Sequence, residues 1–160
     1  MRIYVESKVM DEYDSKLETL LQIKRLNELL NKAAAELLDR AIVHDKSKLE
    51  QPEKDLYDKL TPLLKKASPD SDDYKDLSKQ YKKAIDHHYK NNRHHPEHYK
   101  NGVNDMNLFD VIEMTLDWLV DVGDSPEKIF SLLKENKTKY DLSDQLTSIL
   151  ENTYKKINKE

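Results

Sequence analysis

Apolar residues recur at helical spacing over most of the chain. Leu17, Leu20, Leu21, Leu26, Leu29, Leu30, Ala33, Ala34, Leu37 and Leu38 repeat every three or four positions, the period of an amphipathic helix. The pattern predicts a long helix over roughly 15–40, bent before His44, with this stripe as core. Ser15 and Glu18 fit a capping box at its start. Pro52 and Pro62 punctuate the next stretch into a short helix over about 52–60 and a turn or second short helix over about 62–67. Residues 68–72 read as a loop ending in an aspartate cap. The following helix, over about 73–91, carries Tyr74, Leu77, Tyr81, Ala84, Ile85 and His88 on successive turns and ends before Pro96. Residues 96–106 read as a loop. Asn107 caps a helix over about 108–122 and Gly123 closes it. Ser125-Pro126-Glu127 opens another, residues 134–139 read as a polar turn, and Ser143 caps a last helix bearing Leu146, Ile149 and Leu150.

The pattern implies an all-α, single compact helical domain of about five to seven helices. Ile3 and Val5 alternate as in a strand, but nothing is at hand to pair with them. Residues 1–14 therefore read as a tail or helix extension, 15–153 as the domain, and 154–160 as a fraying end. Composition agrees: 160 residues contain 2 Gly and 5 Pro, with 37% hydrophobic and 36% charged residues. A net charge of -4 gives no drive towards non-specific nucleic-acid binding. A local basic patch can still hold a phosphate. The chain has no cysteine, so a metal would have to take nitrogen and oxygen ligands. No signal-length apolar start and no run of about 20 apolar residues is present. The expectation is a cytoplasmic protein that does not cross a membrane, its oligomeric state left open.

Five of the six histidines, His87, His88, His94, His95 and His98, fall within 87–98, HHYKNNRHHPEH. Neutral imidazole is the commonest metal ligand and a proton carrier near neutral pH. His87 and His94, and His88 and His95, are two helical turns apart. The sixth, His44, precedes Asp45, and Lys48 follows. A third series, Asp110, Glu113, Asp117 and Asp121, runs up one side of a very apolar helix. A buried carboxylate needs a partner, and the histidines, or a metal between them, can supply one. Blander readings stand beside these: a helix-end His with a capping Asp, a solvated histidine-rich turn, and a solvated acidic face. If the segments converge, the ligand set suits Zn, Mn, Fe, Ni or Co, holding a water activated for hydrolysis.

AIVHDKSKL resembles the His-Asp signature of the HD-domain superfamily of helical metal-dependent phosphohydrolases. More closely, the chain resembles an uncharacterised family of phages and bacteria through HDKSKLE (44–50), HHYKNNRHHPEHY (87–99), MNLFDVIEMTLDW (106–118) and SDQLTSILENT (143–153). The HD resemblance implies that His44 and Asp45 are paired metal ligands and Asp117 the closing aspartate. HD proteins also draw a histidine from the preceding helix. Here Gln22 stands in that place, and an amide oxygen is the poorer ligand, which shifts the expected binding towards His88 and His95. The expected activity is metal-dependent hydrolysis of a nucleotide or nucleotide-like phosphate ester. Lys48 and Arg93 would balance phosphate charge, and His94, His98 or Glu113 would handle the proton. The competing expectation is a non-catalytic module, a phage-type regulator or anti-defence protein, that uses the same pocket to hold a small ligand or a protein.

Overall fold

The computed structural model describes residues 14–123 and 125–157, apart from the Asp121 side chain. The expectations for the extreme N-terminus, for the last three residues and for Asp121 lie outside the described residues. The fold is all-α. Among the described residues there are six α-helices and no strand: α1 (Lys16–Val43), α2 (Glu53–Leu64), α3 (Asp72–Asn91), α4 (Leu108–Val122), α5 (Pro126–Lys139) and α6 (Asp144–Ile157). Single 3-10 turns cover Lys46–Leu49, Pro96–His98 and Gly102–Asp105.

The chain divides into two compact units, 1–38 and 39–160, with the division inside α1. In the first unit α1 is the described element, and its leucine stripe is not core. Leu17, Leu20, Leu21, Leu26, Leu29, Leu30 and Leu38 are all exposed, and no α1 residue is buried. Periodicity marks a face able to pack, and among the described residues of this unit no second layer covers it. Gln22 lies in this unit.

The second unit holds the core and every other site residue. Met114 and Trp118 of α4, Ile129 and Leu133 of α5, Leu142, and Leu150 and Tyr154 of α6 form one buried cluster. Three of the expected caps are present, and the aspartate cap expected before α3 is replaced by a serine. Asn107 and Asp110 make a reciprocal capping box at α4, Ser125 accepts from Lys128 N–H at α5, and Ser143 accepts from Leu146 N–H. At α3 the cap is Ser71, which accepts from Tyr74 N–H.

Two expected breaks are absent. Pro62 lies inside α2, close enough to its end that little of the helix beyond depends on the missing amide. Residues 134–139 continue α5 instead of forming a turn. Lys and Glu are good helix formers, Asn136 is buried, and Tyr140 stacks on Trp118 at 5.7 Å, which anchors the C-terminal end of α5.

Candidate metal centre

Three segments of the second unit meet at the site: the end of α1 with its following 3-10 turn, the end of α3 with the His94–Pro96 turn, and one face of α4. Asp45 sits at the centre. It follows the last residues of α1 with φ 55° and ψ 13°, the left-handed conformation. Glycine is usual at such a helix end because a Cβ costs energy there, and aspartate is among the few residues that tolerate it. The bend turns the carboxylate back towards the histidines.

Three imidazoles aim Nε2 at this carboxylate or at its neighbour Asp117, and the Nε2 of a fourth meets that of His88. His88 Nε2 lies 3.2 Å from Asp45 Oδ1, and His94 Nε2 lies 3.4 Å from the same oxygen. His95 Nε2 is 2.8 Å from His88 Nε2. His44 Nε2 is 3.7 Å from Asp45 Oδ2 and 3.4 Å from Asp117 Oδ1. Two overlapping ligand sets result, Asp45, His88, His94 and His95, and His44, Asp45, His94 and Asp117, each with its ligand atoms within 4.8 Å of one another. Donor atoms that share one ion at ordinary bond lengths sit roughly 3 Å apart, so the spacing fits a divalent cation.

The opposite side of the rings explains this aim. His44 Nδ1 donates to Glu113 Oε1 at 3.0 Å, and His94 Nδ1 lies 3.3 Å from the same oxygen. Burial pushes the Glu113 carboxyl up, but His94, His44 and Arg40 together pull it down to about 2. Glu113 is therefore ionised and acts as an acceptor that orients two rings. On the other wall, His88 Nδ1 donates to Glu53 Oε2 at 3.0 Å. Ser47 Oγ donates to the same oxygen at 3.1 Å and accepts from Asn92 Nδ2 at 2.7 Å. Carboxylate–histidine pairs of this kind fix the tautomer of metal-binding imidazoles and raise their basicity.

The electrostatics favour the ligand forms. Burial, with His94 and His88 alongside, lowers His95 to about 3 and keeps it neutral. Burial pushes the Asp45 carboxyl up, but the Lys48 ammonium on Oδ2 pulls the other way and the group is held well below the usual carboxylate range. Asp45 Oδ1 and His94 Nε2 are nevertheless buried without a hydrogen-bond partner. Leaving such atoms unsatisfied costs about 1–3 kcal/mol each. A shared cation would satisfy both.

The structure brings His44, Asp45, His88, His95 and Asp117 together as the sequence suggested. It adds His94, 2% exposed, which the sequence reading gave a proton-handling role. His98 stands apart: its Nδ1 donates to the Tyr89 carbonyl at 3.0 Å. Arg93 also points elsewhere. Its Nε and Nη2 both donate to Asp110, each at 3.1 Å, and Arg40 donates to Asp110 at 2.8 Å and to Glu113 at 3.0 Å. Lys48 pairs with Asp45 Oδ2 and lines a cavity of about 370 Å³ with Tyr57, Tyr81, Ile85, His88, Tyr89, His95 and Asp117. Sequence reasoning missed Glu53 and Ser47. An acid in a helix's first turn looks like an ordinary dipole partner, and a serine amid lysines has no periodicity to mark it.

A model of a family of unknown function, DUF5662, matches residues 11–156. The chain belongs to that family. Neither the curated proteins nor the solved structures give a match, so the HD resemblance rests on the motifs alone.

Proposed function

We propose that the protein is a divalent-metal-dependent phosphohydrolase acting on a nucleotide-like phosphate ester. The observation that carries this reading is the pair of buried, unpartnered atoms, Asp45 Oδ1 and His94 Nε2, inside a ring of oriented imidazoles. His88, His94, His95 and Asp45, with His44 and Asp117, would hold the ion; the nitrogen and oxygen set suits Mn, Zn, Fe, Ni or Co. The ion would supply Lewis acidity for attack of water on phosphorus.

The protein's own groups supply the rest. Lys48, on the cavity wall, balances phosphate charge. Tyr57 and Tyr81, edge to face at 5.3 Å, and Tyr89 give the cavity an aromatic wall on which a base can stack. Burial and the Glu53 charge raise Tyr57 to about 12, so its hydroxyl stays protonated and available as a donor. A volume of about 370 Å³ is at the small end of ligand sites, which suits one nucleotide.

One observation favours a binding module instead: the forks of Arg40 and Arg93 are both engaged by Asp110. The test is elemental analysis of protein purified without a nickel column, then a phosphate-ester panel with Mn, Zn or Co added. Stoichiometric metal with turnover lost in His44→Ala and Asp117→Ala supports the hydrolase. Metal without turnover supports ligand capture, and no metal under any condition removes both readings of the centre.

A further inference from the structure

We infer that Glu53 is a positioning residue: it fixes the ring tautomer of His88 and so turns a bare Nε2 lone pair towards Asp45. The inference rests on the metal reading above. Glu53 is 0% exposed and opens α2, a different element from any residue of the two ligand sets. Its carboxylate meets His88 Nδ1 at 3.0 Å, Ser47 Oγ at 3.1 Å and, through the other oxygen, His87 Nδ1 at 2.7 Å.

A neutral imidazole carries one N–H. Ser47 Oγ and Asn92 Nδ2 also lie beside Nδ1, but their protons go to Glu53, to Ser47 Oγ and to the His88 carbonyl. With the carboxylate oxygen of Glu53 as acceptor at Nδ1, the ring proton resides there and Nε2 is left as an acceptor. That nitrogen faces Asp45 Oδ1 at 3.2 Å and, in the metal-free protein, accepts from His95 Nε2–H at 2.8 Å, so its lone pair is the one a cation would take up. Glu53 does for His88 what Glu113 does for His44 and His94, from the opposite wall. His87 sits on the outer side of the same carboxylate, is about a third exposed, and belongs to neither ligand set. Ser47, held by Asn92, keeps Oε2 turned inward.

Glu53→Gln is nearly isosteric, but its amide can present N–H to the ring and move the proton to Nε2. Two readouts test this at temperatures well below unfolding. The first is the His88 tautomer in metal-free protein, read by long-range proton–nitrogen correlation NMR. Wild type is expected as the Nδ1–H form, and Glu53→Gln as Nε2–H or a mixture. The second is Co²⁺ affinity followed by visible absorption, expected 10- to 100-fold weaker in Glu53→Gln, with His87→Ala close to wild type. Should Glu53→Gln fail to fold, Glu53→Asp takes its place; it keeps the charge but withdraws the oxygens, and the same loss of affinity is expected. An unchanged His88 tautomer, or unchanged Co²⁺ affinity in the folded variant, overturns the inference. Wild type that binds no Co²⁺ while showing the Nδ1–H tautomer sinks the metal reading and leaves the positioning geometry standing.

Discussion

Asp45 Oδ1 and His94 Nε2 face each other at 3.4 Å, both buried and both without a hydrogen bond. Asp45 follows α1 and His94 follows α3, and nothing in local backbone geometry requires them to meet. The relationship predicts that His94→Ala weakens metal binding far more than His98→Ala does. His98 serves the Tyr89 carbonyl, so its loss should cost about 1 kcal/mol of stability and leave metal stoichiometry intact. Calorimetric titration with Mn²⁺ or Co²⁺ on both variants checks this; equal affinities would place His94 outside the centre.

Metal should stabilise the folded protein by mass action. At a free metal concentration of about 100 times Kd the gain is about 2.7 kcal/mol. The melting temperature should rise with added metal, fall after chelation, and stop responding in Asp45→Ala. A response that persists in Asp45→Ala would mean that the stabilising ion sits elsewhere.

Asp45 itself predicts a trade between stability and binding. A non-glycine residue at φ 55° carries backbone strain of roughly 1 kcal/mol, and its Oδ1 is unsatisfied. Asp45→Gly removes both costs and loses the partly exposed Lys48 pair, worth at most about 1 kcal/mol, so the metal-free variant should unfold at about the same denaturant concentration as metal-free wild type while losing metal binding. Asp45→Ala keeps the strain and should be the less stable of the two. A metal-free Asp45→Gly clearly less stable than wild type would show that the carboxylate is structural.

Helix positions were legible in the sequence because caps and prolines act locally: Asn107, Ser125 and Ser143 each mark a helix start found in the structure. Burial was less legible. The α1 leucines have the period of a core helix yet are exposed, since periodicity describes a face and not what covers it. At the centre, residue type found His44, Asp45, His88, His95 and Asp117 because histidine clusters are rare against a Lys and Glu background. Roles were harder. Whether an imidazole binds through Nε2, as His94 is aimed to, or serves a carbonyl, as His98 does, depends on what stands behind the ring. Glu113 illustrates the same point, since only its three neighbours show it to be an ionised acceptor and not a proton donor.

Glu113 therefore should not behave as a general acid. Its carboxyl is held at about 2, far below any working pH. Glu113→Gln is expected to weaken metal binding at every pH between 6 and 9, by about 10- to 100-fold, without moving the pH midpoint of whatever activity remains. A titration limb that disappears in Glu113→Gln would restore the proton-transfer role.

Asp110 should set the acid limit of the fold around the centre. It is 0% exposed and accepts from Arg93, Arg40 and the Asn107 amide. Burial pushes its carboxyl up, but Arg93, the Asn107 amide and Arg40 outweigh this and hold it at about 2, below the ordinary 3.8. A depressed carboxylate adds stability that is fully present above the unfolded value and lost as pH falls through the folded one. The contribution, on the order of 2 kcal/mol, should therefore persist from neutral pH to about 4 and disappear between about 4 and 2. Asp110→Asn should lower stability at pH 7 and flatten the dependence in that window. Arg93→Ala should do the same more weakly, because Arg93 is 51% exposed and Arg40 remains. Urea unfolding from pH 2 to 7 on the three proteins measures the difference. An Asp110→Asn curve parallel to wild type across the window would show that the two arginines do not depress this carboxyl.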